Sequence, residues 1–411
     1  MTLEPKTQRA ALAPILWLNC ALGLGVLELS KRPRYGLSIT YNLICTTLYF
    51  VMLFETKGLD EENWIAYQEI SYTFILWVNI TVAIFSVILG FVNTEKLRNI
   101  IMRCEQIDNT LEPFGVKKDY KKTLRYVICA TFSWCMLMLS LCAINTFWLI
   151  TELDLEHGTY LCILVHIPIN INSAVVLSFY VFMRTLSDKL RKINMIMNEI
   201  LQLPNVKNSN IKYGVQSYIV QKIIVIMDHH KRQRFILHLV QITRHVHLEI
   251  IRISRKLNQV YCYQLLLQLI VEFTLIMGAL YNVYFEIMQS DIMQALRNKV
   301  TFAMILWIFV NSSKIIIVNN LCTNLQRQAH VTAEVLRELG NSCVDHSIKD
   351  EIEQFSLQLI LHPLYFSAGG FVSLNNQLTT MFFGTITTYM AILLQMSSTP
   401  SAMKSLTQIL S

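Results

Sequence analysis

Charge is scarce in this chain. Asp, Glu, Lys and Arg make up 15% of its 411 residues, against 53% hydrophobic residues and a mean hydropathy of +0.42. That balance excludes an ordinary water-soluble domain, in which about a quarter of residues are charged. Apolar and polar residues do not alternate as in strands, which excludes a membrane β-barrel. There is no glycine loop to cradle a phosphate, and no Ser, His and carboxylate set stands out, so an enzyme is not expected. His229 and His230 are adjacent and His245 and His247 two apart, spacings that do not put both rings on one helical face. They read as solvated surface, and neither a cofactor nor a metal is expected.

What the chain has instead is long apolar runs. A membrane helix needs roughly 20 apolar residues to cross about 30 Å of hydrocarbon. Seven segments qualify, at 36–54, 70–92, 126–150, 160–183, 260–288, 299–318 and 374–396. Backbone in hydrocarbon must satisfy its own hydrogen bonds, so these are expected to be helices and the fold an all-α, seven-helix membrane protein. The apolar run from Ala10 to Leu27 follows Lys6 and Arg9, as a signal peptide would, but Pro14, Gly23 and Gly25 interrupt it and Lys31, Arg32 and Arg34 follow. It is expected to be a short, non-spanning helix at the membrane surface.

Basic residues set the orientation. Residues 55–69 carry only Lys57 against five acidic residues and 151–159 carry no Lys or Arg, so both connections read as extracellular. Residues 93–125 hold eight basic residues, and 184–259 hold fourteen against four acidic ones, so both read as cytoplasmic. The N-terminus is then inside and, after seven crossings, the C-terminus outside, the reverse of a G-protein-coupled receptor. The net charge of +7 is mostly this topological signature and faces anionic lipid, so no nucleic-acid partner is expected. The ten cysteines fall almost entirely in spans or cytoplasmic connections, as expected of packed, reduced thiols.

No Gly or Pro lies between Gly214 and Gly278, or between Gly278 and Gly340. The fifth and sixth spans are therefore expected to run on as unbroken helices beyond the inner membrane surface. Apolar faces carrying Ile219, Ile223 and Ile226, then Phe235, Leu239 and Ile242, need partners. A break is expected at Pro204, Asn205, Asn208 and Asn210. The expected organisation is a cytoplasmic N-terminal segment (1–35), four spans (36–183), a cytoplasmic helical anchor (184–259), two spans (260–320), cytoplasmic helices (321–373), a last span (374–396) and an extracellular tail (397–411).

The stretch from Gln354 to Met396 is the most informative. An amphipathic piece is expected to end at Gly369 and Gly370, followed by the seventh span. At 100° per residue, Gln377, Thr380, Met381, Gly384, Thr388 and Ala391 all fall within about 60° of Gln395. Phe382, Phe383, Ile386, Tyr389, Met390 and Leu393 lie opposite. A pore helix needs this segregation, because uncharged hydroxyl and amide groups replace an ion's hydration shell without trapping it. Close helix packing in membranes uses the same residue types, so the stripe alone fits both readings.

Thr388-Tyr389, five apolar residues, then Gln395 and Met396 resembles the Thr-Tyr-(five hydrophobic)-Gln-Phe signature of insect gustatory receptors, with Met396 in place of the terminal Phe. The runs FSLQL (355–359) and FSAGGFVSLN (366–375) are similar to the segment that precedes it in that family. The resemblance implies a ligand-gated, non-selective cation channel in the plasma membrane of sensory neurons, formed by four identical or related subunits around the seventh helix. It puts Gln395 and Met396 at an outer gate and makes Gln377, Thr380, Met381, Gly384, Thr388, Ala391 and Gln395 pore-lining. Receptors for many sugars often carry Glu after the signature Tyr; here the residue is Met390, which leaves a fructose-like or a bitter tastant. The related odorant receptors, or a seven-helix receptor signalling through a partner, are the alternatives. A secondary transporter would show repeat-related halves, which seven spans do not give.

The expected ligand site opens outward and mixes apolar walls with a few polar groups. Trp77 and Thr81 on the second span, Asn145 and Trp148 on the third, and His166, Asn170 and Ser173 on the fourth are candidates. Tyr281 and Tyr284 on the fifth and Trp307 and Asn311 on the sixth complete the set. Among charged residues inside the spans, Glu272 must be protonated, paired or wet, and Lys314 either pairs with it or reaches the cytoplasmic surface. The sequons at Asn79 and Asn311 fall inside spans, where glycosylation is not expected.

Overall fold

The structure is a computed structural model that describes residues 5–26, 28–29, 32–55, 70–152, 155–202, 229–289, 298–342 and 345–397. Two short helices, α1 (Gln8–Ala11) and α2 (Ala13–Ala21), open the chain. A two-residue hairpin follows, pairing β1 (Glu28–Leu29) with β2 (Arg32–Pro33). Then come α3 (Tyr35–Glu55), α4 (Ile70–Leu111), α5 (Tyr120–Glu152), α6 (Leu155–Gln202), α7 (His229–Gln289) and α8 (Lys299–Ser342). The chain ends in α9 (His346–Leu361), a second hairpin of β3 (Ser367–Ala368) and β4 (Val372–Ser373), and α10 (Asn376–Ser397). Seven of the described helices, α3 to α8 and α10, are long and apolar enough to cross a membrane.

The scarcity of breakers shapes these elements. Helix α7 runs for 61 residues, a rod of roughly 90 Å. Helix α8 runs unbroken for 44. The extra length is covered as its apolar faces require: Leu239 is fully buried, Phe235 and Ile242 pack on the main core, and the Phe235 ring lies 6.1 Å from that of Phe114. Ile219, Ile223, Ile226 and the break expected from Pro204 to Asn210 lie outside the described residues. Near the middle of α6, Pro168 has no N–H for the Leu164 carbonyl four residues back. The Tyr49 hydroxyl of α3 donates to that carbonyl at 3.1 Å, so the helix continues through the proline.

The main core joins α2, the far half of α4, the second halves of α6 and α8, the first half of α7, and α9. The N-terminal run is part of it: Leu12 and Ile15 are buried, and Ser178 donates to Asn19 Oδ1 at 2.7 Å. Gly90 of α4 leaves no room for a Cβ against the Leu24 carbonyl, and that close approach docks the segment. On the outside, Leu43, Leu48 and Phe54 of α3, Phe132 and Leu139 of α5, and Phe302 and Phe309 of α8 are exposed, the band that lipid would cover.

Two expectations are corrected. His247 is buried at 2% exposure with its ring 5.4 Å from Phe355, because α9 folds over this face of α7; His245 is exposed. The amphipathic helix α9 ends at Leu361, before Pro363, which disfavours helical backbone in the preceding residue. Gly369 and Gly370 instead form the turn between β3 and β4, with φ of +62° and +78°. The Gly369 N–H donates to the Cys262 carbonyl of α7 at 2.9 Å.

A Cβ on Gly369 would overlap Leu266 Cδ2, whereas one on Gly370 would meet nothing within 4 Å. Gly369→Val is therefore expected to cost at least about 2 kcal/mol, and Gly370→Ala about 1 kcal/mol. Thermal unfolding of the detergent-purified protein checks the order; equal melting temperatures for the two variants would remove the packing argument.

Candidate functional site

Asn145 of α5, His166 of α6 and Trp307 of α8 come together in one cluster. Asn145 Nδ2 lies 2.9 Å from His166 Nε2, Trp307 Nε1 donates to Asn145 Oδ1 at 3.3 Å, and the imidazole and indole centroids are 5.7 Å apart. His166 is 3% exposed and Trp307 9%. All three line a cavity of about 100 Å³ bounded by α4, α5, α6, α7 and α8. Gly278 sits on its α7 wall, where an added Cβ would meet Ile75 Cδ1 of α4, so a larger residue here would make the Ile75 side chain move. Asn79 and Asn282 also line the cavity, and among the described residues no Asp, Glu, Lys or Arg does.

The remaining candidates lie elsewhere. Trp77 and Thr81 are exposed on the outer face of α4. Ser173 is buried and accepts from Trp134 Nε1 at 2.9 Å. Asn170 and Tyr284 are half-buried and do not line the cavity, and Tyr281 stacks on Phe285 at 6.5 Å. The Trp148 side chain falls outside the described residues. Sequence reasoning missed Asn79, Asn282 and Cys162; Asn79 was considered only as a sequon, and its burial at 2% supports the expectation that it is not glycosylated.

From the Trp307 end a polar chain runs along α8 toward the last helix. Asn311, fully buried, donates to the Trp307 carbonyl at 2.9 Å and accepts from Lys314 Nζ at 2.9 Å. Lys314 Nζ lies 3.4 Å from Glu272 Oε1 of α7, which also accepts from Gln268 Nε2 at 3.0 Å. The pair that the sequence left as one of two options is formed, and Lys314 turns inward. Beside it, Ile276 of α7 and Ile315 of α8 pack on Ile386 of α10, with Phe273, Phe382, Phe383 and Met390 around them.

Helix α10 is thus held by one side only. Ile386 is buried and Phe382, Phe383 and Met390 half-buried, while Gln377, Thr380, Met381, Gly384, Thr388, Ala391 and Gln395 are all exposed. Tyr389 is exposed yet keeps its ring 6.0 Å from that of Phe273. The base of the helix is tied down where Asn319 donates to Thr379 Oγ1 at 2.9 Å and the Asn376 N–H to Thr323 Oγ1 at 3.1 Å. Met396 belongs to the helix, but its side chain lies outside the described residues.

Seven membrane-length helices, a buried cavity among five of them and a terminal helix with an uncovered polar stripe define a multi-pass membrane receptor fold. The chain belongs to the 7tm Chemosensory receptor family, which it matches over residues 14–399. It is 27% identical over 151 residues to the gustatory receptor for bitter taste 66a of Drosophila melanogaster; that match covers 36% of this chain and 29% of the relative, so the chain spans less than a third of the relative's length. Its fold is that of the insect olfactory receptor OR5 from Machilis hrabei, with a TM-score of 0.61, 14% identity, and coverage of 94% of this chain and 98% of the other. The same receptor in complex with eugenol superimposes with a TM-score of 0.59 at 14% identity over the same shares.

Proposed function

We propose that the chain is a gustatory receptor subunit that conducts cations when a small molecule binds, with four copies placing α10 around a central pore. The observation that carries this is the one-sided packing of α10: every residue of the polar stripe is exposed, and the bulky side is held by Phe273, Ile276 and Ile315. A lipid-facing helix would turn its apolar side outward; this one packs Phe382, Phe383, Ile386 and Met390 inward and presents its polar stripe, together with Met381, Tyr389 and Leu393, to a further copy or to water. Gln395 and Met396 then stand at the outer gate, the N-terminus and the extensions of α6 to α9 in the cytoplasm, and the C-terminus outside, in the plasma membrane of a sensory neuron.

The tastant site in this reading is the cavity of Asn145, His166 and Trp307. Mainly apolar walls with three asparagines, and no Asp, Glu, Lys or Arg among the described residues, suit a compact, weakly polar bitter compound better than a sugar with hydroxyls on every face. A drug-sized ligand fills roughly 300 Å³ or more, so binding opens the cavity and moves its walls, and the polar chain from Trp307 to Glu272 connects those walls to the support of α10. Lipid is a second partner: a cavity of about 530 Å³ lined by Arg9, Trp17 and Arg98 fits an anionic headgroup.

Current recorded from cells expressing this chain alone, against a panel of bitter compounds and sugars, tests the reading. Asn145→Leu is expected to raise the half-maximal concentration of the activating compound about tenfold, the equivalent of one lost hydrogen bond of about 1.4 kcal/mol. Substrate uptake without current, from protein at the cell surface, would exclude a channel. An unchanged dose–response in Asn145→Leu would move the ligand elsewhere.

A further inference from the structure

Cys142 of α5 and Cys162 and His166 of α6 form a cluster that shares His166 with the tastant cavity and adds two thiols to which the tastant reading gives no role. Their sulfur atoms and a ring nitrogen lie within 4.8 Å of one another, and the two Sγ atoms are 3.7 Å apart. Zinc bound tetrahedrally to two thiolates at about 2.3 Å sets them about 3.8 Å apart; a disulfide needs about 2.05 Å. Cys162 and His166 are one helical turn apart on α6, so one face supplies two ligands and α5 supplies the third.

The surroundings fit a metal ion independently of that spacing. With Asn145 Nδ2 against His166 Nε2, the proton sits on Nδ1, which is buried without a hydrogen-bond partner. Coordination through Nδ1 removes that cost and moves the ring proton to Nε2, where the Asn145 amide oxygen accepts it if the amide turns over and gives up its long bond from Trp307 Nε1. The Thr146 hydroxyl lies 3.0 Å from Cys162 Sγ and 2.8 Å from the Cys142 carbonyl, placed to donate to a thiolate. Charge also balances: Zn²⁺ binds two thiols, releases two protons and leaves a neutral Cys₂His site, which burial tolerates where a bare charge would not.

We propose that Cys142, Cys162 and His166 bind Zn²⁺. Cys162 and His166 line the same cavity as Asn145 and Trp307, so the fourth coordination position is available to water or to a donor atom of a cavity ligand. The proposal does not depend on ion conduction, and its test is made on the purified full-length chain.

Co²⁺ is titrated into reduced protein, and the thiolate-to-cobalt charge-transfer absorption is followed. One equivalent is expected to bind with sulfur bands that vanish in Cys142→Ser and Cys162→Ser and persist in Cys129→Ser, a control on an exposed part of α5. His166→Ala is expected to weaken binding more than about 100-fold, and Thr146→Val about 10- to 100-fold, the range for an outer partner. Absence of binding, or bands unchanged in the cysteine variants, overturns the proposal. The wild-type chain gives the same test without substitution. Zn²⁺ should shield Cys142 and Cys162, but not Cys129, from alkylation read by mass spectrometry; equal labelling, or a Cys142 to Cys162 disulfide formed in air with Zn²⁺ present, overturns it.

Discussion

Lys314→Met is expected to destabilise the protein by about 3–5 kcal/mol, more than any other single change on α8 outside its apolar core. The cause is the carboxylate it leaves behind. Glu272 is 1% exposed, and Lys314 Nζ lies 3.4 Å from its Oε1 as the counter-charge. Removing one partner of a buried pair strands an uncompensated charge, whereas replacing both with apolar residues of similar volume is often neutral. Glu272→Met with Lys314→Met should therefore recover most of the loss, a coupling that a double-mutant cycle on thermal unfolding reads directly. If the double variant unfolds no later than Lys314→Met alone, the pair does not act as a unit, and the polar chain from Trp307 to α10 loses its central link.

Gly384→Trp is expected to cut ligand-evoked current to below about one tenth of wild type with surface expression unchanged, because in the proposed tetramer four indoles would meet on the axis and form an apolar constriction that excludes water. Nothing lies within 4 Å of a Cβ at this position, so a single copy accommodates the ring without repacking. Leu393→Trp, on the far side of the same helix, is the control and should conduct. Normal current and an unchanged reversal potential in Gly384→Trp would mean that the stripe faces lipid.

The helices were legible because hydrocarbon imposes length and backbone satisfaction, and the 61-residue α7 because nothing between Gly214 and Gly278 or beyond can stop a helix. On α10 the packing of Phe382, Phe383, Ile386 and Met390 was legible from their bulk, whereas Tyr389 and Leu393, expected on the same side, are exposed. On α4 the same reasoning failed: Trp77 and Thr81 point outward while Asn79 lines the cavity, because lipid is as apolar as a protein interior and both faces of the helix are rich in apolar residues. Convergence of Asn145, His166 and Trp307 from three helices, and the approach of Cys142 to Cys162, depend on how α5, α6 and α8 cross. One-dimensional spacing carries only the part of this within α6. His247 was misjudged because a charged-looking stretch beside Arg244 and Glu249 hides one buried position under α9.

The bond from Gly369 to the Cys262 carbonyl ties the glycine turn to α7 as a latch is tied to a rod. Gly278 and Asn282 lie at the cavity and Cys262 some 24 Å further along α7, without a hinge residue between them. A rigid displacement of α7 at the cavity would carry the latch with it, and the turn leads through β4 to the first residues of α10.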